Sequence, residues 1–167
     1  DELPLFAGGE SIMRNPHKRI TCEVAPHHLW FDKSDYERYG SLIKCNPSIK
    51  ESRHKVALLQ GLLNDQIDMI ATDHAPHLLS EKNDNIWNAP SGIPTIQHSL
   101  YMMLQFVKQG KLSLEKVVEK MCHSPALCFQ VSKRGFVREG YWADLVIVDL
   151  EQQTTVTKES ILYKCGW

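Results

Sequence analysis

The chain has 167 residues, 43% hydrophobic and 23% charged, with a formal net charge of -1, an ordinary profile for a soluble protein with one real core, or a core plus a small appendage. Near-neutral charge gives neither the basic surface that nucleic acid requires nor attraction to an acidic membrane, and no apolar run reaches the ~20 residues of a membrane span. The five cysteines, Cys22, Cys45, Cys122, Cys128 and Cys165, include no C-x-x-C pair and are odd in number, which argues for reduced thiols in a cytosol over a disulfide framework.

The chain opens on Asp1-Glu2-Leu3-Pro4-Leu5-Phe6, which lacks an initiator methionine and a signal-peptide pattern and reads like the middle of an element. Residues 20–24 form a β-branched run closed by Ala25-Pro26, predicting a strand and a turn. Lys33-Ser34-Asp35-Tyr36 suits a capped helical turn, and Asn46-Pro47 marks a loop. Over 50–63, Val56, Leu58, Leu59, Leu62 and Leu63 suit one helical face. A second, buried strand is predicted over 67–71, completing a βαβ unit.

Between His77 and Pro94 the chain is polar and rich in Asn, Pro and Gly. That length without regular structure points to a functional loop or lid. Thr95 can cap a helix running to about Lys108, with Leu100, Met103, Leu104 and Val107 on one side. Another helix is predicted over 113–122, and a short one opens at Ser124-Pro125, where Ser suits the N-cap and Pro the first helical position. After a boundary near 131–135, residues 143–149 and 154–157 read as strands.

The chemistry concentrates just past the second strand, in Ile70-Ala71-Thr72-Asp73-His74-Ala75-Pro76-His77, with Glu81-Lys82 following. An acid at the C-terminal end of a parallel strand sits where α/β barrel enzymes place their catalytic groups. Asp73 can bind a metal through one oxygen and take a proton from water through the other. His77 can orient a substrate anion or ligate metal, although a solvated, capping Asp73 fits the spacing as well. His27 and His28, after Pro26, project in different directions and suit structural or hydrogen-bonding roles.

These residues resemble the dihydroorotase family of the amidohydrolase superfamily. The run from Ala71 to His77, with Lys82 beyond it, is similar to the family's C-terminal signature. Thr21-Cys22-Glu23-Val24-Ala25-Pro26-His27-His28-Leu29 resembles its seventh barrel strand, and Lys44-Cys45-Asn46-Pro47 its substrate-contacting Asn-Pro element. Ala89-Pro90-Ser91-Gly92 resembles the loop after strand eight, and the stretch from Glu139 to Val146 the small β domain that completes amidohydrolases.

The resemblance implies an α/β fold: the C-terminal part of an amidohydrolase-type TIM (β/α)8 barrel over residues 1–131, and part of a small β-sandwich domain over 132–167. It implies reversible, zinc-dependent cyclisation of N-carbamoyl-L-aspartate to L-dihydroorotate in pyrimidine synthesis, in the cytoplasm, at a centre expected to be binuclear. Asp73 would be a metal ligand and the catalytic acid/base. Asn46 and His77 would hold substrate, His77 favouring its carboxylate, and backbone groups at Ala89 and Gly92 would read the ring edge. A homodimer is compatible with this reading.

Pro94 and Gln97 depart from the family's Gly and Glu-Thr at the loop-to-helix junction, and the remaining metal ligands, with their H-x-H strand, are absent from the sequence. A complete barrel takes about 250 residues, so the expectation is a fragment of a longer enzyme. Alone it would bind zinc weakly and turn over little, with exposed strand edges. A hydantoinase or allantoinase type cyclic amidohydrolase, and a non-catalytic dihydroorotase-like scaffold subunit, stay open as alternatives.

Overall fold

A computed structural model describes residues 3–6 and 10–167. Asp1 and Glu2 of the opening stretch lie outside it, and Leu3–Phe6 forms a short helix, α1, whose Leu3 packs on the main core. The order continues as β1 (Glu23–Val24), α2 (Pro26–Trp30), α3 (Tyr36–Tyr39), α4 (Ser52–Leu63), β2 (Met69–Ile70), α5 (Leu79–Lys82), α6 (Ser99–Lys108), α7 (Leu114–Val118) and α8 (Ser124–Cys128). The predicted strand, helix, strand unit is present. β1 and β2 run parallel, Glu23 opposite Met69 and Val24 opposite Ile70, with α4 in the crossover.

Both strands are shorter than predicted, because side chains take backbone groups that a ladder would use. The buried Asp68 carboxylate accepts from the Cys22 N–H at 2.9 Å and from the Lys18 ammonium at 2.8 and 2.9 Å. The Ile67 carbonyl accepts from the buried Lys120 ammonium at 2.9 Å, and the Ile67 N–H goes to the Gly61 carbonyl at 3.0 Å. A two-stranded ribbon is marginal in water. Here it is carried by a core in which Val24 and Ile70 meet Leu62 of α4, Met103 and Phe106 of α6, and Val117 of α7.

Val56, predicted on the apolar face of α4, is instead 56% exposed. At about 100° per residue it lies roughly 160° from Leu58, whose side chain packs on the core. Thr95 does not cap α6: its hydroxyl donates to the Thr72 carbonyl at 2.5 Å, while a turn over 95–98 leads into the helix. Ser124 is not an N-cap either. A π-helical segment, Glu119–His123, runs straight into α8, so there is no free helix start for Ser124 to cap.

The largest departure concerns the C-terminal stretch. Residues 143–149 and 154–157 carry strand-type side chains but form no ladder among the described residues. Val146 and Ile147 are 74% and 99% exposed. β propensity expresses itself only against a partner strand and a face to bury, and neither is within reach here. The end of the chain nevertheless docks: Gln97 donates to the Ser160 carbonyl and accepts from the Leu162 N–H, and His98 meets the Tyr163 hydroxyl at 2.9 Å.

Candidate active site

Parallel pairing brings the carboxyl ends of β1 and β2 to one edge, so Pro26-His27-His28 and Asp73 leave the sheet side by side. Asp73 adopts a left-handed conformation, φ 46°, which an aspartate tolerates better than most residues. Its neighbours hold it there. The Thr72 carbonyl accepts from Thr95, the Ile96 N–H donates to His74 Nδ1 at 3.2 Å, and His74 bridges Ile93. The Asp73 carboxylate is half-exposed and lies 3.8 Å from Nε2 of the fully buried His27. Burial, reinforced by the adjacent His28, lowers the His27 pKa to about 4. The contact is therefore between a carboxylate and a neutral ring, not an ion pair.

Asn46, His77, Ala89 and Gly92 belong to one interlinked group of segments. The Lys44 carbonyl accepts the Gly92 N–H at 2.9 Å, which seats Asn46, exposed in a cis Asn46-Pro47 pair, beside the 89–92 turn. His77 Nε2 donates to the Ser91 carbonyl at 3.1 Å, so in the neutral ring Nδ1 is left for a ligand. The His77 carbonyl accepts from the Trp167 indole at 2.7 Å. Gly92 has φ 147°, and a Cβ there would fall 2.4 Å from the Ala75 carbonyl oxygen. Only glycine lets the turn close against His77. Ala89 is buried and its N–H is committed to the Asn85 carbonyl at 2.9 Å. An open cleft of about 270 Å³ runs past Pro76, His77 and Leu78 toward Lys164 and Cys165.

Two participants were not singled out from sequence. Lys82, noted only as part of the signature, is fully buried and donates to the carbonyls of Lys44, Pro90 and Gly92 at 3.1, 2.9 and 3.0 Å. It ties the Asn46 segment to the 89–92 turn, and burial lowers its pKa to about 8. The stretch from His77 to Pro94 is thus anchored through α5 rather than free along its length. His27 was assigned a structural or hydrogen-bonding role. Among the described residues neither of its ring nitrogens has a hydrogen-bond partner, while His28 donates to the Pro47 carbonyl at 2.7 Å. The available signal was the position of Pro26-His27-His28 at the same strand end as Asp73.

Among the described residues no helix is long and apolar enough to cross a membrane. The dihydroorotase of Methanosarcina mazei is 39% identical over 155 residues, covering 92% of this chain and 34% of its own length. That of Halobacterium salinarum is 35% identical over 147 residues, 88% of this chain and 35% of its own. The solved L-hydantoinase of Arthrobacter aurescens superposes with a TM-score of 0.81 at 33% identity, over 87% of this chain and 34% of its own. The chain therefore spans about a third of the relatives it matches, and its α/β fold corresponds to part of their barrel type. The Amidohydrolase family model matches residues 6–163, and the chain belongs to that family.

Proposed function

We propose that these residues form the substrate end of a cytoplasmic dihydroorotase, which interconverts N-carbamoyl-L-aspartate and L-dihydroorotate. The observation that carries this reading is Asp73, pinned in a left-handed conformation at the exit of β2 with a half-exposed carboxylate 3.8 Å from a buried imidazole. The relatives named dihydroorotase add to it. Residues 132–167 are proposed as part of a small β domain.

The donor set fits zinc in part. Asp73 accepts no hydrogen bond among the described residues and so has oxygens to offer. It would hold the metal from this chain as one ligand of a binuclear centre, the others lying in the part of the relatives that this chain does not span. When bound, zinc polarises the amide carbonyl and lowers the pKa of water. Asp73 takes the proton from the attacking water and returns it to the ring nitrogen as the carbon–nitrogen bond breaks. In cyclisation the same carboxylate works in reverse. Asn46 and His77 hold the substrate, His77 through Nδ1 toward its carboxylate, and the turn carrying Ala89 and Gly92 borders the ring.

A second reading, hydrolysis of hydantoin-type rings, is favoured by the superposition on L-hydantoinase. Assaying the intact protein against carbamoyl aspartate and against a hydantoin separates the two. Dihydroorotase requires cyclisation of the former, with turnover reduced by several orders of magnitude in Asp73→Asn while the fold is kept. Ordinary turnover in that variant would refute the role given to Asp73.

A further inference from the structure

Beside Asp73 lies a set of donors that the proposed ring chemistry does not use. His27, His28 and Cys45 place one nitrogen or sulfur each within 4.8 Å of one another. His28 Nε2 and Cys45 Sγ are 3.7 Å apart, close to the roughly 3.6 Å between nitrogen and sulfur ligands of a tetrahedral zinc ion. His27 supplies an independent observation. It is fully buried, yet among the described residues both its ring nitrogens lack a hydrogen-bond partner, a costly state for a polar side chain. Its ring centroid is 4.4 Å from that of His28. The other two groups are held in reserve, since the Cys45 thiol and the His28 ring both donate to the Pro47 carbonyl, at 3.2 and 2.7 Å.

We propose that His27, His28 and Cys45 form a binding site for a thiophilic divalent cation of the zinc and cadmium type, distinct from any metal held by Asp73. Two imidazoles and one thiolate suit a borderline or soft ion and disfavour magnesium or calcium, which take oxygen ligands. Binding displaces the thiol proton of Cys45 to solvent and moves the His28 proton to its other nitrogen, freeing both groups from the Pro47 carbonyl. Burial and the nearby Asp73 carboxylate push the Cys45 thiol up to about 11, so without a cation it stays protonated. His28 is only partly buried and gives the ion a way in.

Titrating the intact protein with Cd2+ tests this, read by the ultraviolet charge-transfer absorption of a thiolate–cadmium bond. A metal held by carboxylate and imidazole gives no such band, so the outcome does not depend on the proposed catalytic role of Asp73. The expected result is a saturable band whose amplitude corresponds to one thiolate per protein, Cys45 being the only sulfur of the cluster, and loss of the band in Cys45→Ser. Retention is expected in Cys122→Ser and Cys165→Ser. His28→Gln, at a partly exposed position that leaves the core intact, should weaken cadmium binding about tenfold or more. A band that survives Cys45→Ser, or cadmium affinity unchanged in His28→Gln, would overturn the proposal.

Discussion

Replacing Gly92 with alanine should destabilise the protein by roughly 2–6 kcal/mol. One part is conformational: φ at this position is 147°, a region that costs an L-residue about 1–3 kcal/mol. The other part is contact. The added Cβ would meet the Ala75 carbonyl oxygen at 2.4 Å, the Ala75 Cβ at 2.6 Å and His77 Cδ2 at 3.0 Å. The first two belong to Ala75, whose N–H is tied to the Ile93 carbonyl by a hydrogen bond of 3.2 Å, so they yield only if the turn shifts, an overpacking term of about 1–3 kcal/mol. Gly110 provides the control. Its φ is 67°, but a Cβ there meets nothing within 4 Å, so Gly110→Ala should cost only about 1–2 kcal/mol. Urea unfolding of both variants measures the difference, and the midpoint should fall further for Gly92→Ala. Equal midpoints would mean that the 89–92 turn does not press against Ala75 and His77, and the account of how His77 is seated would fail.

Removing the Asp68 carboxylate with Asp68→Ala leaves Lys18 and the N–H groups of Ile12 and Cys22 without their acceptor. Denaturant unfolding should register a loss of about 3–5 kcal/mol, and a loss below about 1 kcal/mol would deny the buried pair its structural role. Asp65 predicts a pH dependence. Burial works to raise its pKa, but hydrogen bonds from Lys116 and Lys120 prevail and hold it at about 2, so the folded chain binds fewer protons than the unfolded one. Its contribution is present above about pH 4 and is lost as pH falls through about 2, on the order of 1 kcal/mol given its partial exposure. Asp65→Asn should flatten the unfolding midpoint across that window, and an unchanged slope would refute it. His77→Ala should chiefly raise KM for carbamoyl aspartate, and normal KM with normal rate would count against a substrate contact.

The two strands, the helix between them and the acid beyond the second were legible because each is local. A β-branched run, an amphipathic period and a strand-to-turn boundary are written over a few neighbouring residues. The signature from Ala71 to His77 likewise marked Asp73 without reference to the rest of the chain. Which backbone groups enter the ladder was not legible, because Asp68 and Lys120 take the Cys22 N–H and the Ile67 carbonyl from positions 46 and 53 residues away. Lys82 resisted reading for a related reason: a lysine in a polar stretch looks solvated until the Lys44 carbonyl, 38 residues away, closes around it with those of Pro90 and Gly92 from its own stretch. His27 gained its place beside Asp73 only when parallel pairing put two strand ends on one edge. At 143–149 the local signal was strong, yet a strand also needs a partner backbone and a face to bury. Residue type and spacing determined where the chemistry could be, and long-range hydrogen bonding and burial decided which side chains stand next to it.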